Sequence, residues 1–491
     1  MDYILKDIEP KRVFRHFEEI TRIPHSSTNE AALSRAILEK AASKGLKAQR
    51  DEANNVYVFK EATPGYENRK RVILQAHIDM VAVKEKDCQV DLDREALPIY
   101  IEGDWLKSKG TSLGADDGIG AAMMLALMES DDIPHPPLEF IFTTMEEIGL
   151  IGARSVTADM LQGEYLINLD GGSDMASLAQ SCAGSSENRF YFPGDTYPLG
   201  ERENKTALSF AIDSLNGGHS GGRASDFVAN AIILLGALLS CLQKLSPFEL
   251  AEISGGGKMN AIADEARAVI VVPAENAAAV RNAAEEWGSL AKEQVRVTDP
   301  DMRLVVDDAP LPEFCYNQKG AGELIGLLEV LPNNAFDFFN SAKQIAKASS
   351  NAGILKAEGG KLVLICKLRS NSDHLHDRYI SRFERLAKAF DAEFETLNRY
   401  GAWEYDPEGA LLKLYVKLVK EEYGVDPLPV LTHGGLEPGV LIAAAKAGGK
   451  KLSAIAFGAK GEEYHTTRER LYIPSVGRVF DWLCRVLISL D

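Results

Sequence analysis

Early in the chain, three separate apolar runs each end on a histidine or an acid. Arg71-Val-Ile-Leu-Gln-Ala runs straight into His77-Ile78-Asp79. Phe140-Ile141-Phe142 is followed shortly by Glu146 and Glu147, and Tyr165-Leu-Ile-Asn-Leu ends in Asp170-Gly171-Gly172. Runs this short, rich in β-branched and aromatic residues, read as strands, and near-continuous apolarity marks strands covered on both faces. Asn55-Val-Tyr-Val-Phe-Lys is another such run. Between His77 and Phe140, Leu113-Gly-Ala-Asp-Asp-Gly-Ile-Gly-Ala-Ala-Met-Met-Leu-Ala-Leu reads as a Gly-bearing turn entering an apolar helix. Alternating strand and helix predicts an α/β fold with a mixed, mostly parallel sheet. Ligands of open α/β sheets bind at the carboxyl ends of strands, which is a physical reason to gather these side chains in one place.

The remaining chain is read around that segment. Residues from about Ile8 to Lys44 read as helices broken at Pro24-His-Ser-Ser-Thr-Asn-Glu, with Ser27 or Thr28 as cap of the second. From about Ser185 the style changes to α+β. Thr206–Ile212 reads as a strand, Asn216-Gly-Gly-His-Ser-Gly-Gly as a Gly-rich loop, and Ala229–Leu242 as an apolar helix. The strand Ala268–Val272 and the helix Ala277–Lys292 follow. Leu324–Leu328 and Ala342–Lys347 read as helical, Leu362–Leu368 as a strand and Arg378–Phe390 as a helix. Asn260-Ala-Ile and Asn351-Ala-Gly-Ile each precede a strand and a helix, a weak sign of internal duplication. The α/β style returns after about Thr396, with a helix at Gly409–Tyr423, a strand at Pro429–Thr432, then His433-Gly-Gly-Leu-Glu437 and a helix to Ala447. The strand Ala454–Phe457 precedes Tyr464-His465. The expected organisation is a catalytic domain in two parts, 1–185 and 396–491, with an inserted lid domain at 186–395.

A chain of 491 residues exceeds a single core. A net charge of −18 argues against nucleic acid or an anionic membrane as partner, since both need clustered Lys and Arg. The apolar run around Ala231–Leu239 is too short to span a bilayer, and the N-terminus lacks the basic-then-apolar plan of a signal peptide. Six scattered cysteines with no CxxC pair suit a reduced, cytoplasmic protein. Gly255-Gly-Gly-Lys258 lacks the spacing of a phosphate loop, and His374-Leu-His376 reads as a solvated surface feature.

Adjacent residues point different ways, so Glu146 and Glu147 suit different partners: one a metal, the other a proton from a metal-bound water. In His77-x-Asp79 one ring nitrogen is free for a metal while Asp79 accepts a hydrogen bond from the other. Each residue also has an ordinary reading. Asp116 and Asp117 suit helix capping, Asp170 a turn, and His465 a polar position near the chain end. Together, His77, Asp116, Glu147, Asp170 and His465 make a sound ligand set for two zinc ions if one carboxylate bridges.

The order HxD, GADD-G, EE-x-G, Asp, GGHSG and a late His resembles the di-zinc aminopeptidase/carboxypeptidase family that includes carboxypeptidase G, aminoacylase-1, peptidase T and carnosinase. The motifs are Gln75-Ala-His-Ile-Asp-Met, Leu113-Gly-Ala-Asp-Asp-Gly-Ile-Gly, Thr144-Met-Glu-Glu-Ile-Gly-Leu-Ile-Gly-Ala, Asn168-Leu-Asp, Asn216-Gly-Gly-His-Ser-Gly, Arg369-Ser-Asn and His433-Gly-Gly-Leu-Glu, spread over nearly the whole chain. The resemblance implies that Asp116 bridges two metal ions, with His77 and Asp170 completing one site and Glu147 and His465 the other. It implies that Asp79 orients His77, and that Glu146 is general base for the bridging water and later proton donor. His219 stabilises the oxyanion, and Asn260 and Arg369 hold the substrate's backbone and terminal carboxylate. His433 and Glu437 become walls of the site. The implied cofactors are two divalent ions, Zn2+ foremost, with Mn2+ or Co2+ tolerated. The implied activity is hydrolysis of dipeptides, of Xaa-His or β-alanyl-histidine type or broader. An N-acyl-amino-acid amidohydrolase and a non-catalytic peptide-binding relative are the alternatives, and a homodimer through the lid is compatible with either. One departure stands out: Thr-Thr-Arg-Glu follows His465 where many relatives have a Pro-Asp-Glu-like segment.

Overall fold

The computed structural model describes residues 3–171, 177–340 and 345–491. The chain forms two compact units. Unit 1 comprises Met1–Cys182, Trp403–Thr432 and Leu436–Asp491; unit 2 comprises Ala183–Ala402 and His433–Gly435.

Unit 1 is built on an eight-stranded mixed sheet. Its strands are β1 (Lys47–Arg50), β2 (Val56–Lys60), β3 (Val72–His77), β4 (Leu138–Thr143), β5 (Tyr165–Asn168), β6 (Ser177–Ser181), β7 (Leu428–Leu431) and β8 (Ser453–Ala456). They lie in the order β1-β2-β4-β3-β5-β8-β6-β7. β3 runs parallel to both β4 and β5, and every residue of these three strands is buried. That two-sided burial is what the unbroken apolar runs require. The register places His77 opposite Thr143 and Gln75 opposite Asn168. The three carboxyl ends are therefore level, and the residues that follow them emerge at one edge.

Helices α1 (Lys11–Thr21), α2 (Ala31–Ser43), α3 (Ala115–Glu129), α4 (Glu437–Ala447) and α5 (Ile473–Ser489) belong to the same unit. Val13, Phe14 and Phe17 of α1, Ala121–Met128 of α3 and Val479, Leu483 and Val486 of α5 join one core with β3 and β4. α3 is apolar on all sides because it is enclosed, as the sequence pattern demands. A four-stranded sheet in the order Gly461–Glu462, Arg470–Tyr472, Trp105–Ser108, Ile99–Glu102 completes the unit. Its first two strands form a hairpin whose loop carries His465. Among the described residues no helix is long and apolar enough to cross a membrane.

Unit 2 has a nine-stranded antiparallel sheet. Eight strands follow the order Arg303–Ala309, Lys205–Asp213, Ala266–Pro273, Glu249–Gly255, Ile345–Glu358, Lys361–Ser370, Gly184–Pro193 and Glu393–Tyr400; Asn334–Asn340 pairs with Ile345–Glu358. Helices Ala231–Leu245, Gln318–Val330 and Asp373–Ala389 pack on it through Leu235, Leu239, Leu324, Leu328 and Phe383. The Asn230 side chain caps the first of these helices, accepting from the amides of Ile232 and Ile233.

Some expectations change. Ser27 and Thr28 do not cap α2; its cap position is Glu30, and the Ser27 hydroxyl bonds Asp79 instead. In the expected helix Ala342–Lys347, residues 341–344 lie outside the described residues, and Ile345–Lys347 begins a strand. Asn351 is buried within that strand, whereas Asn260 is exposed beside a two-residue strand, so the two stretches are not structural equivalents. Asn351 instead holds the Asn260 turn, its amide donating to the carbonyls of Met259 and Ala261 at 3.1 and 2.7 Å. His376 is fully buried, not solvated, and its Nε2 lies 2.8 Å from the Ser186 hydroxyl. Burial pulls that imidazole down to about 3, so it is neutral. Strand Glu393–Tyr400 pairs with Gly184–Pro193, which carries unit 2 past residue 396 to Ala402.

Candidate metal centre

His77 closes β3 and is 1 % exposed. Its Nδ1 donates to the backbone carbonyl of Asp79 at 3.0 Å. The Asp79 carboxylate, the partner expected from the HxD spacing, lies farther away at 3.5 Å. With Nδ1 committed to the carbonyl, Nε2 is the nitrogen turned toward the other carboxylates. That atom lies 3.2 Å from Asp116 Oδ1 and 4.0 Å from Asp170 Oδ2.

The Asp79 carboxylate has other work. It accepts the Ser27 hydroxyl at 2.8 Å and the amides of Glu146 and Glu147 at 2.9 and 3.2 Å. Buried Glu30 accepts the amides of Thr28 and Met145, each at 3.0 Å. Met145 has φ of 51°, a left-handed backbone that a β-strand does not continue through. Two buried carboxylates thus hold three successive amides, 145 to 147, and aim the two glutamates. Gly152 lies beneath this turn; a Cβ there would sit 2.2 Å from the Thr144 carbonyl oxygen.

Asp116 and Asp117 part company at the start of α3. Asp117 turns inward and caps, its Oδ1 accepting from the Gly120 amide at 3.2 Å. A Cβ at Gly120 would stand 2.4 Å from that oxygen, so a larger residue there would displace the Asp117 carboxylate. Asp116 turns outward. Its Oδ2 is 3.3 Å from His465 Nε2, and His465 Nε2 is 2.9 Å from Glu147 Oε1. Two ligand groups result, His77–Asp116–Asp170 and Asp116–Glu147–His465, each able to bring its donor atoms within 4.8 Å of one another. Asp116 belongs to both. Glu146 forms a further group with His77 and Glu147.

The protonation pattern tests whether a cation fits. Burial, then the Asp116 carboxylate, raises the carboxyl of Asp170 well above its usual range. Burial likewise raises Glu146, with Glu437 and Glu147 adding repulsion. Burial pushes Asp116 the same way, but the His465 and His77 imidazoles overcome it and hold Asp116 far below the usual carboxylate range. His465 is pushed up to about 10 by hydrogen bonds to Asp116 and Glu147. So many carboxylates at one edge demand positive charge, and protons supply it here. Two imidazoles and three carboxylates, one of them common to both groups, are a donor set that fits two divalent ions, which would supply that charge directly.

The resemblance makes Glu437 a wall of the site. It is fully buried in the first turn of α4, its Oε2 accepting from the Gln75 amide and, at 2.8 Å, the Thr143 hydroxyl. Gln75 in turn accepts from the Asn168 amide at 2.7 Å. This polar network ties together β3, β4 and β5 just before their functional ends. Burial pushes the Glu437 carboxyl up to about 7. Gln75 opens one of the family motifs, whereas Thr143 carries no sequence signal beyond being polar in an apolar strand.

Unit 2 carries its own cluster. Gly218–His219 pairs with Ala261–Ile262, and the Ser220 amide donates to the Asn260 carbonyl at 2.9 Å. This brings His219 beside Asn260. His219 is exposed, and its Nδ1 accepts the Gly222 amide at 3.0 Å. Its Nε2 lies 3.3 Å from Arg369 Nη2. Arg369 is 4 % exposed, and among the described residues its Nε has no hydrogen-bond partner. His433 is buried with both ring nitrogens engaged, at 2.8 Å from the Ser349 hydroxyl and 2.8 Å from the Asn371 carbonyl oxygen. Burial, then the Arg369 charge, brings it down to about 3. His433, expected as a wall of the site, is thus neutral and hydrogen-bonded within unit 2.

The model of peptidase family M20/M25/M40 matches residues 73–489. The chain belongs to that family. It is 30% identical to the cytosol non-specific dipeptidase of Escherichia coli K12 over 485 residues, 98% of each chain. The structure of aminoacylhistidine dipeptidase from Vibrio alginolyticus has TM-score 0.87 at 28% identity and covers 99% of this chain and 98% of that one. Aminopeptidase PepT from Bacillus cereus, with TM-score 0.57 at 14% identity over 98% of this chain and 99% of that one, shares the fold. The mixed α/β sheet of unit 1 is the family's, and the residues gathered at its edge lie within the matched span.

Proposed function

We propose that this M20/M25/M40 peptidase is a metal-dependent dipeptidase, with His77, Asp116 and Asp170 holding one divalent ion and Asp116, Glu147 and His465 the other. The observation that carries this reading is Asp116 within reach of both imidazoles, with Glu146 beside the pair. Two full-length relatives named as dipeptidases support the substrate class. When bound, two divalent ions would polarise the scissile carbonyl and acidify a water. Zn2+ suits the mixed imidazole and carboxylate set.

The chain's own residues do the rest. Glu146, poised by its Asp79-held amide, takes the proton of the attacking water and returns it to the leaving amine. Asp79 and Glu30 keep that carboxylate aimed. On unit 2, which we read as the lid, Arg369 Nη2 lies 3.3 Å from His219 Nε2, so the two side chains can meet one peptide together. A guanidinium suits the carboxylate of a peptide in particular. Asn260, beside His219, is placed to meet the peptide backbone.

The test is a panel of dipeptides including β-alanyl-histidine, set against N-acetyl amino acids, with protein of measured metal content. We expect dipeptide cleavage that a chelator abolishes and zinc or manganese restores. Activity confined to N-acetyl amino acids would replace the reading with an amidohydrolase. Inactivity on both, with metal supplied, would leave a non-catalytic relative.

Metal uptake is expected to depend on pH. In the metal-free protein His465 stays protonated up to about 10, and an imidazole binds metal only after losing that proton. Affinity therefore falls as pH drops below that value and rises toward it, by up to about tenfold per pH unit for each proton displaced. Calorimetry in buffers of different ionisation heat measures the released proton. Zinc binding that releases none at neutral pH would count against His465 as a ligand.

A further inference from the structure

Asp116 sits on a loop, Leu113–Asp116, whose backbone is held by one buried carboxylate. Glu469 is 3 % exposed. Its Oε2 accepts the amides of Leu113 and Gly114 at 2.8 and 3.1 Å, and its Oε1 those of Ala115 and Asp116 at 2.9 and 3.4 Å. Four successive amides converge because Gly114 is left-handed, with φ of 68°. Such a concavity, opening onto the first turn of α3, is a ready anion site. Here a side chain of the same protein fills it.

Glu469 lies in the hairpin loop that also carries His465. The Thr466 hydroxyl donates to the Glu463 carbonyl and the Glu469 amide to the Thr466 carbonyl, so the loop is internally braced. The hairpin is in turn sewn to the strand before the Asp116 loop, with Arg470 opposite Lys107 and Tyr472 opposite Trp105. His465 and Asp116 are distant in sequence, yet one carboxylate sets the position of the second relative to the first.

We infer that Glu469 is a positioning residue for the paired metal site: by locking the Leu113–Asp116 amides to the His465 loop it holds Asp116 where one carboxylate reaches both imidazoles. The inference rests on the reading that Asp116 and His465 hold metal. It also gives the segment after His465 a purpose: Glu469 is the residue of Thr-Thr-Arg-Glu that matters.

The experiment is chelator-competed zinc affinity of the full-length protein, measured for wild type, Glu469→Gln, Glu469→Asp and the core control Leu483→Ala. Leu483 is fully buried in α5, so its truncation destabilises unit 1 without touching the loop. Glutamine keeps one accepting oxygen and loses the other. We expect Glu469→Gln to weaken the looser zinc-binding step by about tenfold or more, the range for residues behind metal ligands, and Leu483→Ala to leave it unchanged. Should Glu469→Gln not fold, Glu469→Asp carries the test; one methylene shorter, it reaches fewer of the amides and is expected to bind zinc more weakly than wild type. Wild-type affinity in the folded Glu469 variants, or an equal loss in Leu483→Ala, overturns the inference alone. A wild-type protein that takes up no divalent ion overturns the reading of the site itself.

Discussion

Glu146→Gln is expected to lower kcat by about a hundredfold to ten-thousandfold, the range for losing a positioned general base, with KM and metal content near wild type. The substitution isolates one property. Glutamine fills the same volume and keeps the backbone amide that Asp79 accepts at 2.9 Å, so the turn at 145–147 stays in place. What disappears is the ability to carry a proton. Glu146 is not a ligand shared by the two three-residue groups around Asp116, so its charge is not needed to retain metal there. In the metal-free site, burial and the neighbouring carboxylates raise its carboxyl above the usual range. The measurement is steady-state kinetics on the best dipeptide with metal counted per chain. Near-normal turnover with both metals present would remove Glu146 from this role. Lost metal would reassign it as a ligand.

The contrast between what was legible in the sequence and what was not has a physical basis. The α/β fold of unit 1 was legible because buried parallel strands leave continuous apolar runs, and β3, β4 and β5 sit where those runs lie. The level carboxyl ends then bring His77, Glu146, Glu147 and Asp170 to one edge. Glu30 and Glu469 left no comparable trace. Their partners are backbone amides of Met145 and of Leu113–Asp116, far away in the chain. Every residue but proline has such an amide, so the pairing leaves no side-chain signature. His376 misled for a related reason. It lies in a polar stretch that reads as surface, yet it is buried with its Nε2 on the Ser186 hydroxyl of a neighbouring strand.

Asp116→Ala is expected to abolish binding of at least one of the two ions and to reduce turnover by about a thousandfold or more. Charge stabilisation by a metal is worth several kcal/mol, and each 1.36 kcal/mol is tenfold in rate. The severity follows from geometry: Oδ1 lies 3.2 Å from His77 Nε2 and Oδ2 lies 3.3 Å from His465 Nε2, so one truncation removes a donor from both ligand groups. His465→Ala is the graded comparison. His465 belongs to one group only and its side chain is half exposed, so its loss should spare the ion held by His77 and Asp170. The loop itself should survive in Asp116→Ala, because Glu469 bonds the residue's backbone amide and not its side chain. Thermal melts of the metal-free variants report the loss of the Asp116 pairing with His77 and His465, while zinc titrations rank Asp116→Ala below His465→Ala and both below wild type. Two ions bound at wild-type affinity by Asp116→Ala would mean that the carboxylate between the imidazoles is not a bridge, and that the two ligand groups act separately.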